Sequence, residues 1–172
     1  MRFSAWAIGF AVLVIPIRGS AADPSAASVN VAIRLDFDAS LQTVRGVKVD
    51  LRYDPTRVSL PGSHGDASVV ERVQGTARDA KGRPVDGLVA VNDHAGEGEK
   101  VDDTLTVGYA AGSDLAPGDA VVVRFEQTTS GAVQTGDFTC IMREAADDHG
   151  IGIASGVTCR ALVVPGGGAP AL

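Results

Sequence analysis

The fold this sequence predicts is all-β: a two-sheet β-sandwich of jelly-roll type with about nine strands. Three observations predict it. Apolar and polar residues alternate with period two over long stretches, turn-forming residues break the chain at short intervals, and no long stretch repeats apolar residues at helical spacing. Side chains on a strand point to opposite faces in turn, so each alternating segment has one apolar and one polar face. Two sheets packed apolar face to apolar face make a sandwich.

The first strand is the clearest. Val29, Val31, Ile33, Leu35 and Phe37 alternate with Asn30, Ala32, Arg34, Asp36 and Asp38. In the second, Val47, Val49, Leu51 and Tyr53 alternate with Lys48, Asp50, Arg52 and Asp54. Residues 57–60, 68–74, 88–92, 104–109, 120–126, 138–144 and 157–163 supply seven more. Between them lie Asp54-Pro55, Pro61-Gly62, Lys81-Gly82, the segment 95–98, Pro117-Gly118 and His149-Gly150, all turn-formers. Residues 66–73 fit two patterns. Val69, Val70 and Val73 also fit a helical stripe with Asp66 or Ser68 as cap, but three β-branched residues favour a strand.

The ends read differently from the middle. Arg2, the uncharged run at 5–17 and the small residues Gly19, Ser20, Ala21 and Ala22 have the layout of a secretory signal peptide cleaved after Ala22. About 13 apolar residues are too few to cross a bilayer, which takes roughly 20. The expected organisation is therefore a signal peptide at 1–22, a short leader at 23–27, one β-sandwich domain at 28–164 and a flexible Gly/Pro-rich tail at 165–172. The protein is expected to be secreted or extracytoplasmic, with no membrane insertion after cleavage. Without Arg2 and Arg18, the 15 basic residues fall to 13 against 21 acidic, taking the formal charge from −6 to −8. Such a surface repels phosphate backbones, so no nucleic-acid partner is expected.

Export also bears on the only two cysteines, Cys140 and Cys159. In an oxidising compartment a thiol pair becomes a disulfide, and no CxxC or CxH spacing suggests a metal instead. If His149 and Gly150 are the central residues of a two-residue hairpin turn, Cys140 faces Cys159, Met142 faces Val157 and Phe138 faces Ala161. All six then share one face, and this register suits the apolar pattern. Alternatively, the two strands lie in opposite sheets and the disulfide bridges the core.

Candidates for chemistry are few. Asp93, Glu97, Glu99, Asp102 and Asp103 crowd one segment, and hard oxygen ligands are what calcium takes. Their spacing matches no EF-hand and suits a solvated acidic loop, so no metal or other cofactor is expected. Asp93, Asp102 and Asp103 are the weak calcium candidates. His64, His94 and His149 all lie in turn-rich segments. No Gly-x-Ser-x-Gly is present, and Asp36, Asp38, Asp50 and Asp54 read as a solvated outer face, so no catalytic residues are expected. The only tryptophan, Trp6, leaves with the signal peptide. Phe37, Tyr53, Tyr109, Phe125 and Phe138 all fall in the apolar phase of strands and are expected to fill the core. That leaves no flat aromatic strip for crystalline polysaccharide.

The segment Gly46-Val47-Lys48-Val49-Asp50-Leu51-Arg52-Tyr53-Asp54-Pro55 resembles the cohesin signature, an alternating strand running into a Tyr-Asp-Pro corner. Leu115-Ala116-Pro117-Gly118-Asp119-Ala120-Val121-Val122-Val123-Arg124-Phe125 is similar to that family's Gly-turn strand ending in Phe. Asn92-Asp93 stands ahead of 104–109 in a similar order. The resemblance spans roughly 28–163. It implies a nine-stranded jelly roll and a non-catalytic scaffolding role, in which the domain grips a dockerin-like protein module or joins a polysaccharide-associated assembly. At the two positions where type I cohesins carry an Asn and an Asp on the strand entering the corner, this chain has Gly46 and Lys48. The alternative function is a carbohydrate-binding module that recognises glycans through polar loops.

Overall fold

The structure, a computed structural model, describes residues 27–41, 43–61, 67–93 and 103–165. The segments expected as signal peptide, leader and tail lie outside the described residues except for residues 27 and 165, as do His64, His94 and Asp102.

Among the described residues nine strands follow in order: β1 (Ser28–Phe37), β2 (Gly46–Tyr53), β3 (Val58–Ser59), β4 (Val73–Gly75), β5 (Gly87–Asp93), β6 (Asp103–Ala111), β7 (Gly118–Gln127), β8 (Phe138–Ala146) and β9 (Val157–Val164). A single helical turn, α1 (Ala67–Val70), precedes β4. One antiparallel sheet runs β3-β7-β1-β9, with β4 also paired to β7; the other runs β5-β6-β2-β8. The chain is thus the β-sandwich that the alternation predicts. Among the described residues no helix is long and apolar enough to cross a membrane.

The core is the apolar phase of each strand. Val31, Ile33 and Leu35 from β1 meet Val49, Leu51 and Tyr53 from β2, all at most 2 % exposed. Phe125 of β7 sits between Tyr53 and Phe138, with ring centroids 5.0 and 5.3 Å away. These three rings join the two sheets. Phe37 and Tyr109 pack in or against the same cluster, so all five expected core aromatics turn inward. The Tyr-Asp-Pro corner is closed by Asp54, whose carboxylate accepts the Thr56 amide (2.8 Å) and hydroxyl (2.6 Å). Those bonds hold its pKa below the ordinary carboxylate value, the hydroxyl contributing most.

Three expectations are resolved or corrected. The first is the choice left open between a Cys hairpin and a disulfide joining the two sheets. β8 and β9 lie in opposite sheets: Cys140 is opposite Leu51 of β2, while Cys159 is opposite Leu35 of β1. The disulfide therefore joins the sheets, with its Cα atoms 5.7 Å apart. A short hairpin does form at His149-Gly150. The Asp147 carboxylate accepts the His149 and Ile151 amides, and Gly150 takes the left-handed conformation at φ 76°. It ends after Ala146 pairs with Gly152 and Ile153 donates to the Ala145 carbonyl, and the chain then crosses to the other sheet. Crossing lets Val157 and Ala161 bury against β1, which a ribbon with β8 would not allow.

The second is the strand expected at 68–74. Residues 67–70 form α1, and the strand begins only at Val73. Val69 (1 % exposed) and Val73 (8 %) are buried, but Val70 (46 %) and Glu71 are both exposed, so burial here does not alternate as a strand from 68 would require. The turn packs against β5 and helps close the side of the sandwich away from the disulfide. The third is Asp50, which lies in the outward phase yet is only 8 % exposed. It accepts hydrogen bonds from the Thr106 hydroxyl (2.8 Å) and from Arg143 Nε (2.6 Å). A carboxylate is held there because its lone pairs are taken and a guanidinium offsets its charge.

Candidate docking face

The outer face of the β5-β6-β2-β8 sheet divides into two halves. Strand registers place outward residues in rows across it. One row runs Ala146, Gly46, Ala110, Leu88; the next runs Glu144, Lys48, Gly108, Ala90. Further along the strands the rows turn mostly polar: Ile141, Asp50, Thr106 and Asn92, then Thr139, Arg52 and Thr104. A groove of about 610 Å³ lies over the first two rows, closed on one flank by the loop that carries Gly150 and Gly152. Leu88 (72 % exposed) stands on the opposite flank, and Ile151 (61 % exposed) is in that loop.

The groove floor is low because Gly46 and Gly108 have no side chains. Neither glycine has a positive φ, and a Cβ on either would meet only ordinary contacts, at 3.9 Å from the Ala146 Cβ and 3.8 Å from the Ala90 Cβ. The backbone does not need glycine here, and glycine within a strand weakens it. Gly87 differs, since a Cβ there would come within 2.6 Å of the Tyr109 ring.

The rim is charged but internally paired. Lys48 Nζ meets Glu144 Oε1 at 3.1 Å, and Arg143 is tied to Asp50. From β8 to β5 the face spans three inter-strand gaps, about 14 Å. An α-helix with its side chains is about 10–12 Å across. The groove thus has the width and the apolar floor to seat one helix, with one cation and one anion at its edge.

The calcium candidates fall elsewhere. Asp93 ends β5, only 1 % exposed, and its Oδ1 accepts a long 3.4 Å hydrogen bond from the buried Tyr53 hydroxyl. Asp103 opens β6 opposite Tyr53, and Asp102 lies outside the described residues. Among the described residues, one group brings three possible ligands together: ligand atoms of Asp147, Asp148 and His149 lie within 4.8 Å of one another. The Asp147 carboxylate is already taken by turn amides, and His149 Nδ1 lies 2.8 Å from Asp148. The geometry is that of a turn, the role the sequence gives His149.

Tyr53 carries a pH prediction. Burial, followed by the charges of Asp93 and Asp103, pushes its pKa far above the ordinary value of 10.0, and burial also raises Tyr109. The folded state then keeps a proton that the unfolded chain releases. This contribution is complete below pH 10 and is lost as pH rises beyond it. We expect phenolate absorbance to appear only together with loss of the far-ultraviolet strand signal. Reversible phenolate formation near pH 10 in a folded protein would contradict the burial of Tyr53.

Sequence reasoning passed over the groove floor. Its signal was present: outward positions of β2 carry Lys48, Asp50 and Arg52, whereas those of β5 and β6 include Leu88, Ala90, Gly108 and Ala110. Only strand pairing shows that these uncharged residues are neighbours.

Comparison with protein-family models, with curated proteins and with solved structures finds no match to this chain.

Proposed function

We propose that the protein is a non-catalytic, extracytoplasmic docking module of cohesin-like type, which holds a helical, dockerin-like protein module in the groove across β5, β6, β2 and β8. The observation that carries this reading is the pair Gly46 and Gly108. They cost strand stability, the backbone does not require them, and their missing side chains open the groove floor. The cohesin signature quoted above includes Gly46 and Lys48, so the resemblance and the groove meet on the same strand. Where type I cohesins offer an Asn and an Asp, this floor offers a bare backbone and an ammonium group. A matching partner helix therefore presents a bulky apolar residue over Gly46 and Gly108, with a carboxylate near Lys48. The inward turn of all five described aromatics favours a protein partner over a polysaccharide surface, which is held by exposed rings.

Calorimetric titration with dockerin modules and with soluble oligosaccharides tests the proposal. Gly108→Arg fills the groove without a backbone clash, and we expect it to weaken dockerin binding by at least about a hundredfold, the scale of losing a central contact. Retention on polysaccharide that free sugar abolishes, and that Gly108→Arg leaves intact, would replace this reading with the carbohydrate-binding one.

A further inference from the structure

Each sheet edge of a sandwich exposes unpaired amides and carbonyls that must be managed. In the β3-β7-β1-β9 sheet, β3 and β4 have only two and three residues, and the β9 edge meets the Thr135 hydroxyl at the Val163 amide (3.2 Å). β8 is bulged, bridges to Gly152 and is tied across by the disulfide. β5 has no such hydrogen-bonded or covalent device; α1 and β4 pack beside it, but neither pairs with its backbone. Its sequence, Gly-Leu-Val-Ala-Val-Asn-Asp, has no proline or lysine, no bulge and no charge before its last residue.

Hydrogen-bond parity identifies the groups on its open side. The Gly112 amide donates to the Asp86 carbonyl, so the even residues Leu88, Ala90 and Asn92 bond to β6. The odd residues direct both backbone groups away from β6, as Val85 shows by donating to the Ala77 carbonyl at 3.0 Å. Beyond Val85 that edge is open: among the described residues no backbone partner reaches Gly87, Val89 or Val91.

We infer that β5 is a self-association edge, on which a second copy of this chain pairs its own β5 antiparallel about a two-fold axis at Val89. The occupant is argued from self-complementarity. With Val89 opposite Val89 of the second copy, Gly87 faces Val91, giving three hydrogen-bonded pairs that use all the open groups. The outward residues then set each Leu88, now 72 % exposed, over Ala90 of the other copy. Asp86 faces Asn92, so no like charges oppose one another. Ala77 occupies the edge at Val85 and stops the pairing there. The dimer would join two four-stranded sheets into one of eight strands, with two grooves on the same side.

Five paired residues per copy form a small interface, so association depends on concentration. The test is sedimentation of the full mature chain from micromolar to near-millimolar concentration, beside Val89→Pro. Proline is tolerated on an edge whose amide is unused, and it removes the central donor. We expect the wild type to double its mass and Val89→Pro to stay monomeric. Amide exchange on the unmodified chain gives a second readout. Gly87, Val89 and Val91 should slow at least about tenfold between the dilute and concentrated ends, while the β6-bonded amides hold constant. A wild type monomeric throughout, a dimer that survives Val89→Pro, or concentration-independent exchange at these three amides would each overturn the inference. Val89 does not line the groove, although its neighbours Leu88 and Ala90 do, so dockerin binding is titrated separately on the Val89→Pro variant, whose groove side chains are unchanged.

Discussion

Phe125→Ala should lower the unfolding free energy by about 3–5 kcal/mol, the range for removing a fully buried aromatic ring. Phe125 is wholly buried and comes from β7, whereas its ring partners Tyr53 and Phe138 come from the opposite sheet. Truncation opens a cavity where the sheets meet, and removes two aromatic contacts beyond the lost area. Urea denaturation measures the effect, and an unchanged dependence on urea would show that the unfolded reference is the same. Leu88→Ala, by contrast, should change stability by less than about 0.5 kcal/mol, because that side chain stands in water. A loss below about 1 kcal/mol for Phe125→Ala would mean that the sheets do not meet through this ring.

Removing the disulfide by the double change Cys140→Ser and Cys159→Ser should cost about 3 kcal/mol. The cysteines are 19 residues apart, and a cross-link of that size constrains the unfolded chain by roughly this amount. The bridge is placed where β8 and β9 would otherwise part at the open side of the sandwich. Mass spectrometry of the purified protein after alkylation should find no reactive thiol. Two alkylated cysteines, or a double variant as stable as the parent, would contradict a structural bridge.

The strands were legible because alternation is a local property. From β1 and β2 the apolar phase reads directly as core, and each of those residues is buried or packed against it. The hairpin register of Cys140 and Cys159 was not legible, since both arrangements satisfy the same alternation. The choice turned on Gly152, Ile153 and the crossing at 154–156, where the gain is burial of Val157 and Ala161 against a strand far away in sequence. α1 escaped because the β-branched valines at 69, 70 and 73 argue for strand locally, while packing buries only the two that are four apart. Asp50 looked solvated because its partners, Thr106 and Arg143, are 56 and 93 residues away. The groove failed for the same reason: four short stretches, with Lys48 and Glu144 their only charges, become one surface only when β5, β6, β2 and β8 are set side by side.

The most direct test of the docking face is a chemical-shift map of the labelled β-sandwich domain titrated with a dockerin module. Perturbations should gather on Gly46, Lys48, Ala90, Gly108 and Ala110, with the β3-β7-β1-β9 sheet silent. Shifts centred on that other sheet, or a titration that moves no resonance, would contradict the account.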